Sequence, residues 1–93
     1  MHPNLKIEVE ADTPIQARQA AEAGADIILL DNMSLDELRE SVALIDGRSQ
    51  IEASGGVTLD TVHDIAQTGV HYISVGALTH SATSTDIALD ISL

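Results

Sequence analysis

Two carboxylates and two glycine-rich runs are the parts of this sequence best suited to chemistry. Glu10 closes the patterned run Ile7 to Glu10, and Asp31 follows the run Ile27 to Leu30. If these runs are neighbouring strands, the carboxylates end side by side. They can then hold a hard cation such as Mg²⁺, which takes one or two carboxylates together with substrate oxygens. Each acid serves equally well as a strand end or as a cap for the next helix, so position alone leaves both readings open. Ser54-Gly55-Gly56 and Ser74-Val75-Gly76-Ala77 follow two further runs, Gln50 to Ala53 and Tyr72 to Val75. Uncovered glycine amides, a serine hydroxyl and the start of a following helix form a phosphate cradle. A single Gly-Gly is also an ordinary turn, but two successive strand ends shaped this way strengthen the phosphate reading.

The histidines add less. His2 is terminal, His63 falls in a helical stretch and His71 opens a strand, and no pair has the i, i+4 spacing of a zinc-binding helix. His63 and His71 are expected to be exposed and structural. His80 comes after a strand-end loop and is the one histidine with a possible minor role at the site.

The elements that must position these groups are legible from their punctuation. Each interval between the four runs opens on a hydroxyl residue and ends on a glycine. The first opens with Thr13, Pro14 and Gln16, where Thr and Gln side chains can satisfy orphan amides reciprocally, and stops at Gly24. The second opens with Ser34 and Glu37, carries Leu35, Leu38, Val42 and Ile45 on one stripe, and stops at Gly47. The third opens near Thr58, buries Leu59, Val62 and Ile65, and stops at Gly69. Strands alternating with such helices predict an α/β fold with parallel strands and right-handed crossovers.

Period-2 patterning selects between an open sheet and a barrel. Ile7 and Val9 share one face against Glu8 and Glu10, and Ile51 and Ala53 oppose Glu52 and Ser54. A central strand of a doubly wound sheet is apolar on both faces. One apolar face toward helices and one polar face toward a lumen suits a (β/α) barrel wall. The expectation is a parallel (β/α) barrel segment, about half of a TIM-like barrel, over residues 1–84. A strand-like tail follows over residues 85–93, where Ile87, Leu89 and Ile91 alternate with polar residues.

Composition narrows the function classes. The chain has 93 residues and is 44% hydrophobic, which allows one small domain. A single aromatic residue, Tyr72, leaves packing to small aliphatic side chains. The net charge of -11 offers no basic stripe for nucleic acid. There is no cysteine and no apolar run long enough for a membrane span or signal peptide, so a cytoplasmic setting is expected.

The runs KIEVE, AGADIILLDNM, IEASGGVTLDTV and TGVHYISVGALTHSATSTDIALDISL resemble, in order and spacing, the C-terminal third of quinolinate phosphoribosyltransferases. The resemblance covers residues 5 to 93, and the combination LDNM, EASGG and SVGALTHS is narrower than a generic barrel phosphate loop. It implies transfer of the phosphoribosyl group of phosphoribosyl pyrophosphate to the ring nitrogen of quinolinate. CO₂ and pyrophosphate are released and nicotinate mononucleotide is formed, a step of NAD biosynthesis. It further implies that Glu10 and Asp31 face the ribose and Mg²⁺, and that Ser54, Gly55, Gly56 and Gly76 cradle phosphate. The basic groups that grip both polyanionic substrates lie in regions of the family outside this chain, so the segment alone is expected to be inactive. In relatives the tail returns to the N-terminal domain and a second subunit supplies part of the positive charge; a homo-oligomer is expected here. Two other readings stand beside this one. One is a non-catalytic phosphate-binding or self-assembling half-barrel, and the other a sister phosphoribosyltransferase with a different aromatic acid acceptor.

Overall fold

The computed structural model of the chain describes residues 5–75 and 78–81, with side chains for residues 5–74. The expected alternation is present: β1 (Glu8–Ala11), α1 (Pro14–Glu22), β2 (Ile27–Asp31), α2 (Leu35–Ile45), β3 (Gln50–Ser54), α3 (Leu59–Ala66) and β4 (Tyr72–Val75). A further strand, β5 (Leu78–Ser81), follows. All five belong to one sheet in chain order, β1 to β4 parallel and β5 antiparallel to β4. Strand order that never reverses separates a barrel wall from a doubly wound sheet, whose ligand crevice lies at a reversal.

Register explains the one-sided core. Ile28 and Ile51 share a row with half-buried Val9, and Ala11, Leu30, Ala53 and Ile73 form the next row on the same face. Those six residues other than Val9 are at most 2% exposed. Burial of each Ile or Leu contributes about 1.5–3 kcal/mol. On the other face Glu10, Leu29, Glu52 and Tyr72 form a row that is exposed or half-buried. Helices therefore cover one face and leave the other open, as a lumen wall requires. α1 buries Pro14, Ala17, Ala20 and Ala21, and this small-residue face lets it lie against β1, β2 and α2. Among the described residues no helix is long and apolar enough to cross a membrane.

The helix punctuation works as chemistry. In α2 the Ser34 Oγ accepts from the Glu37 amide at 3.2 Å, while the Ser34 amide donates to Glu37 Oε1 at 3.0 Å. Ser34→Ala is expected to cost about 1 kcal/mol of stability, with Ser34→Asp retaining most of it, as a urea titration followed by circular dichroism will show. The far end of α2 turns through two left-handed residues, Asp46 (φ 52°) and Gly47 (φ 76°). There Arg48 donates to the carbonyls of Leu44 (2.6 Å) and Ile45 (2.9 Å), two of the acceptors a helix terminus leaves open.

Several expectations are corrected in detail. Gln16 accepts from the Asp12 amide (2.8 Å) rather than from Thr13, although Thr13 Oγ1 does accept from the Gln16 amide (3.1 Å). Ile7 precedes β1 and is 60% exposed, because it lies at the sheet edge; only its backbone joins β2, accepting from the amides of Asp26 and Ile27. Leu59 is 55% exposed. It is the first residue of α3, and the buried stripe begins one turn later at Val62, Ile65 and Ala66. Ser41, unremarked in the sequence pattern, is fully buried on α2 and donates to Met33 Sδ at 3.4 Å. His80 falls within the antiparallel strand β5, in register with Ile73. The tail over residues 85–93 and Gly76 lie outside the described residues.

Candidate functional site

The strand ends bring the carboxylates together. β1 and β2 pair Glu10 with Leu29 and Ala11 with Leu30, so the ends of both strands fall at the same edge of the sheet. Glu10, Asp12 and Asp31 each offer a carboxylate oxygen, and these oxygens lie within 4.8 Å of one another. Asp12 was not foreseen from the sequence. Its signal is the two-residue spacing from Glu10, which returns its side chain to the lumenal face one step beyond the strand. Glu10 and Asp12 are exposed and Asp31 is half-buried.

The first glycine pair abuts this cluster. Asp31 stands in register with Ser54, and the Ser54 hydroxyl donates to Asp31 Oδ1 at 3.3 Å. The Asn32 amide donates to the Ser54 carbonyl at 2.9 Å, with Asn32 itself in the left-handed region (φ 56°). Gly55 (φ 78°) lies so close that a Cβ built on it would sit 2.5 Å from Asp31 Oδ1 and 2.9 Å from the Asn32 nitrogen. Gly56 (φ 67°) is looser, with only Asn32 Oδ1 at 3.4 Å from such a Cβ. Among the described residues the amides of Gly55 and Gly56 have no protein acceptor, and α3 begins just beyond them, capped at Thr58. The acids and the glycine pair, read separately in the sequence, thus form one continuous site.

Ser74 is arranged differently. It lies on the lumenal face of β4, where its hydroxyl donates to Glu52 Oε2 at 2.6 Å. This places a carboxylate beside a residue expected to bind phosphate. For His80 the structure gives backbone alone, and Gly76 is not among the described residues. His71 and His63 are exposed, as expected. His71 Nδ1 accepts from the Ile51 amide at 3.0 Å, which ties the loop before β4 to β3, and His63 Nε2 contacts the Gln67 side chain at 3.1 Å.

The site's electrostatics are one-sided. Lys6 and Arg48 line an open groove with Asp26, Gly47, Ser49, Gln50 and His71 at the opposite, amino-terminal end of the strands. Arg39 is paired with Asp36 at 3.2 Å. Three hard oxygen donors on neighbouring strand ends fit Mg²⁺ by donor type, and the missing Gly55 side chain leaves Asp31 the space it occupies.

Comparison with known proteins agrees with the fold. The family described as "Quinolinate phosphoribosyl transferase, C-terminal domain" matches residues 1–90. The probable nicotinate-nucleotide pyrophosphorylase [carboxylating] of Bacillus subtilis is 46% identical over 89 residues, covering 96% of this chain and 31% of that protein. The nicotinate-nucleotide pyrophosphorylase [carboxylating] of Rattus norvegicus is 42% identical over 90 residues, covering 94% of this chain and 30% of its own length. The crystal structure of nicotinate-nucleotide pyrophosphorylase from Ehrlichia chaffeensis superposes with a TM-score of 0.74 at 42% identity, covering 80% of this chain and 27% of that one. The chain therefore spans under a third of these relatives. From its match along nearly the whole length, the chain belongs to the quinolinate phosphoribosyltransferase family and corresponds to the C-terminal part of that fold.

Proposed function

We propose that this chain supplies the cation-binding and phosphate-facing wall of a site that transfers phosphoribosyl from phosphoribosyl pyrophosphate to quinolinate, yielding nicotinate mononucleotide, CO₂ and pyrophosphate. The observation that carries the reading is the meeting of Glu10, Asp12 and Asp31 beside Gly55 and Gly56 at the carboxyl ends of β1 to β3. In a (β/α) barrel that end is where catalysis takes place. Glu10, Asp12 and Asp31 would hold Mg²⁺, which would offset the negative charge of the donor's pyrophosphate. Ser54, Gly55 and Gly56 orient the donor's phosphate through amides at the start of α3. Ser74 and Gly76 extend that cradle in the proposal, with the Ser74 hydroxyl held by Glu52 on the lumenal face, and His80 has a minor role at the site. Quinolinate's carboxylates require cations that the described lumenal face does not offer, so the acceptor is gripped by the portion of the fold this chain does not span. A homo-oligomer in the cytoplasm completes the proposal.

Calorimetric titration with phosphoribosyl pyrophosphate, with and without Mg²⁺, tests it. Binding that requires the cation is the expected result. Binding of inorganic phosphate that ignores the cation points instead to a phosphate-holding module, and absence of any binding to a structural role.

A further inference from the structure

We infer that Ser54 and Gly55 are positioning residues for the Asp31 carboxylate, in addition to any contact they make with phosphate. This rests on the proposed cation site. Two independent contacts carry it. The Ser54 hydroxyl donates to Asp31 Oδ1 at 3.3 Å, which orients the carboxylate that gathers with those of Glu10 and Asp12. Gly55 sets a steric limit at the same oxygen: the volume a Cβ would fill at position 55 is already taken by Asp31 Oδ1 and the Asn32 amide. Because the Asn32 amide is also bonded to the Ser54 carbonyl, the Asp31–Asn32 corner cannot back away without breaking the β2–β3 connection. Any side chain at position 55 must therefore displace the carboxylate, the group with the freest end. The neighbouring glycine supplies a control. Gly56 has a similar left-handed backbone, φ 67° against 78°, yet a Cβ there meets nothing closer than Asn32 Oδ1 at 3.4 Å. Substitution at either position bears the same backbone strain, but only position 55 strikes the carboxylate.

The test is Mn²⁺ binding to the 93-residue chain, read by electron paramagnetic resonance, with folding of each variant checked by circular dichroism. Gly55→Ala is expected to weaken Mn²⁺ about tenfold or more, as loss of a group that orients a metal ligand typically does, while Gly56→Ala stays within about threefold. Ser54→Ala, which adds no strain, is expected to weaken Mn²⁺ by a smaller factor of about three to ten. It decides the matter if Gly55→Ala does not fold. Inorganic phosphate affinity is measured in parallel. If Ser54→Ala and Gly55→Ala weaken phosphate but bind Mn²⁺ as Gly56→Ala does, the positioning role is wrong and the cradle alone remains. If the unmodified chain binds no Mn²⁺, or Asp31→Asn leaves its affinity unchanged, the underlying cation site is wrong and the positioning role falls with it.

Discussion

Truncating Leu30 to alanine is expected to lower stability by about 3–5 kcal/mol, the upper part of the range for buried leucines. Leu30 is fully buried in β2, with Ala11 and Ala53 as its neighbours on the covered face. The helix packed over this region presents Ala17, Ala20 and Ala21. None of these has a longer side chain that could swing into the space, so the cavity stays open and its cost is felt almost in full. A chain of this length has a total stability of roughly 5–14 kcal/mol, so the variant loses a large share of it. With no tryptophan in the sequence, urea unfolding is best followed by circular dichroism at the helix band. A loss below about 1 kcal/mol would show that the covered face is not the core it is described to be.

The second large effect concerns the acids. The double variant Glu10→Gln, Asp31→Asn is expected to bind Mn²⁺ at least about a hundredfold more weakly, since it removes two of three charged donors where loss of an orienting group alone reaches that range. Folding should survive. Glu10 is exposed, and an asparagine at position 31 can still accept from the Ser54 hydroxyl through its own Oδ1. Without the cation, gathering three carboxylates within 4.8 Å is repulsive, so the variant should be no less stable than the parent chain. Weaker binding without lost stability is the signature of residues kept for function. Mn²⁺ affinity unchanged in the double variant would place the cation elsewhere on the chain.

The fold was more legible than the fine structure of the site. Thr13, Ser34 and Thr58 marked the helix starts correctly, because a cap is a local exchange between residues three apart and owes nothing to distant contacts. The alternation of Ile51 and Ala53 with Glu52 and Ser54 gave the sided sheet, because pleating enforces it. Leu59 and Ile7 misled, since periodicity names a face without saying whether a neighbour extends far enough to cover it. At the site, Glu10 and Asp31 were readable as strand ends. Asp12 was missed because it lies past the end of its strand, although its two-residue spacing from Glu10 was the signal that could have found it. Nor could spacing show that Gly55 presses on Asp31, a contact between the end of β2 and the residue after β3 that is set by the β2–β3 register.

The unreversed strand order has a kinetic consequence. The pairs Glu8 with Ile27, Ile27 with Gln50 and Glu52 with Tyr72 lie 19, 23 and 20 residues apart, so each docking step closes a loop of nearly equal length. Closure entropy grows only with the logarithm of that length, and no step is singled out as slow by topology. The sheet can grow from any of these three junctions, one strand and helix at a time, in the manner of a repeat array. Glu10, Asp12, Asp31, Ser54 and Gly55 all belong to the first three strands and their ends. The proposed cation site therefore needs only β1, β2, β3 and their ends, and a cation bound there would favour a partly assembled sheet without β4 over the unfolded chain.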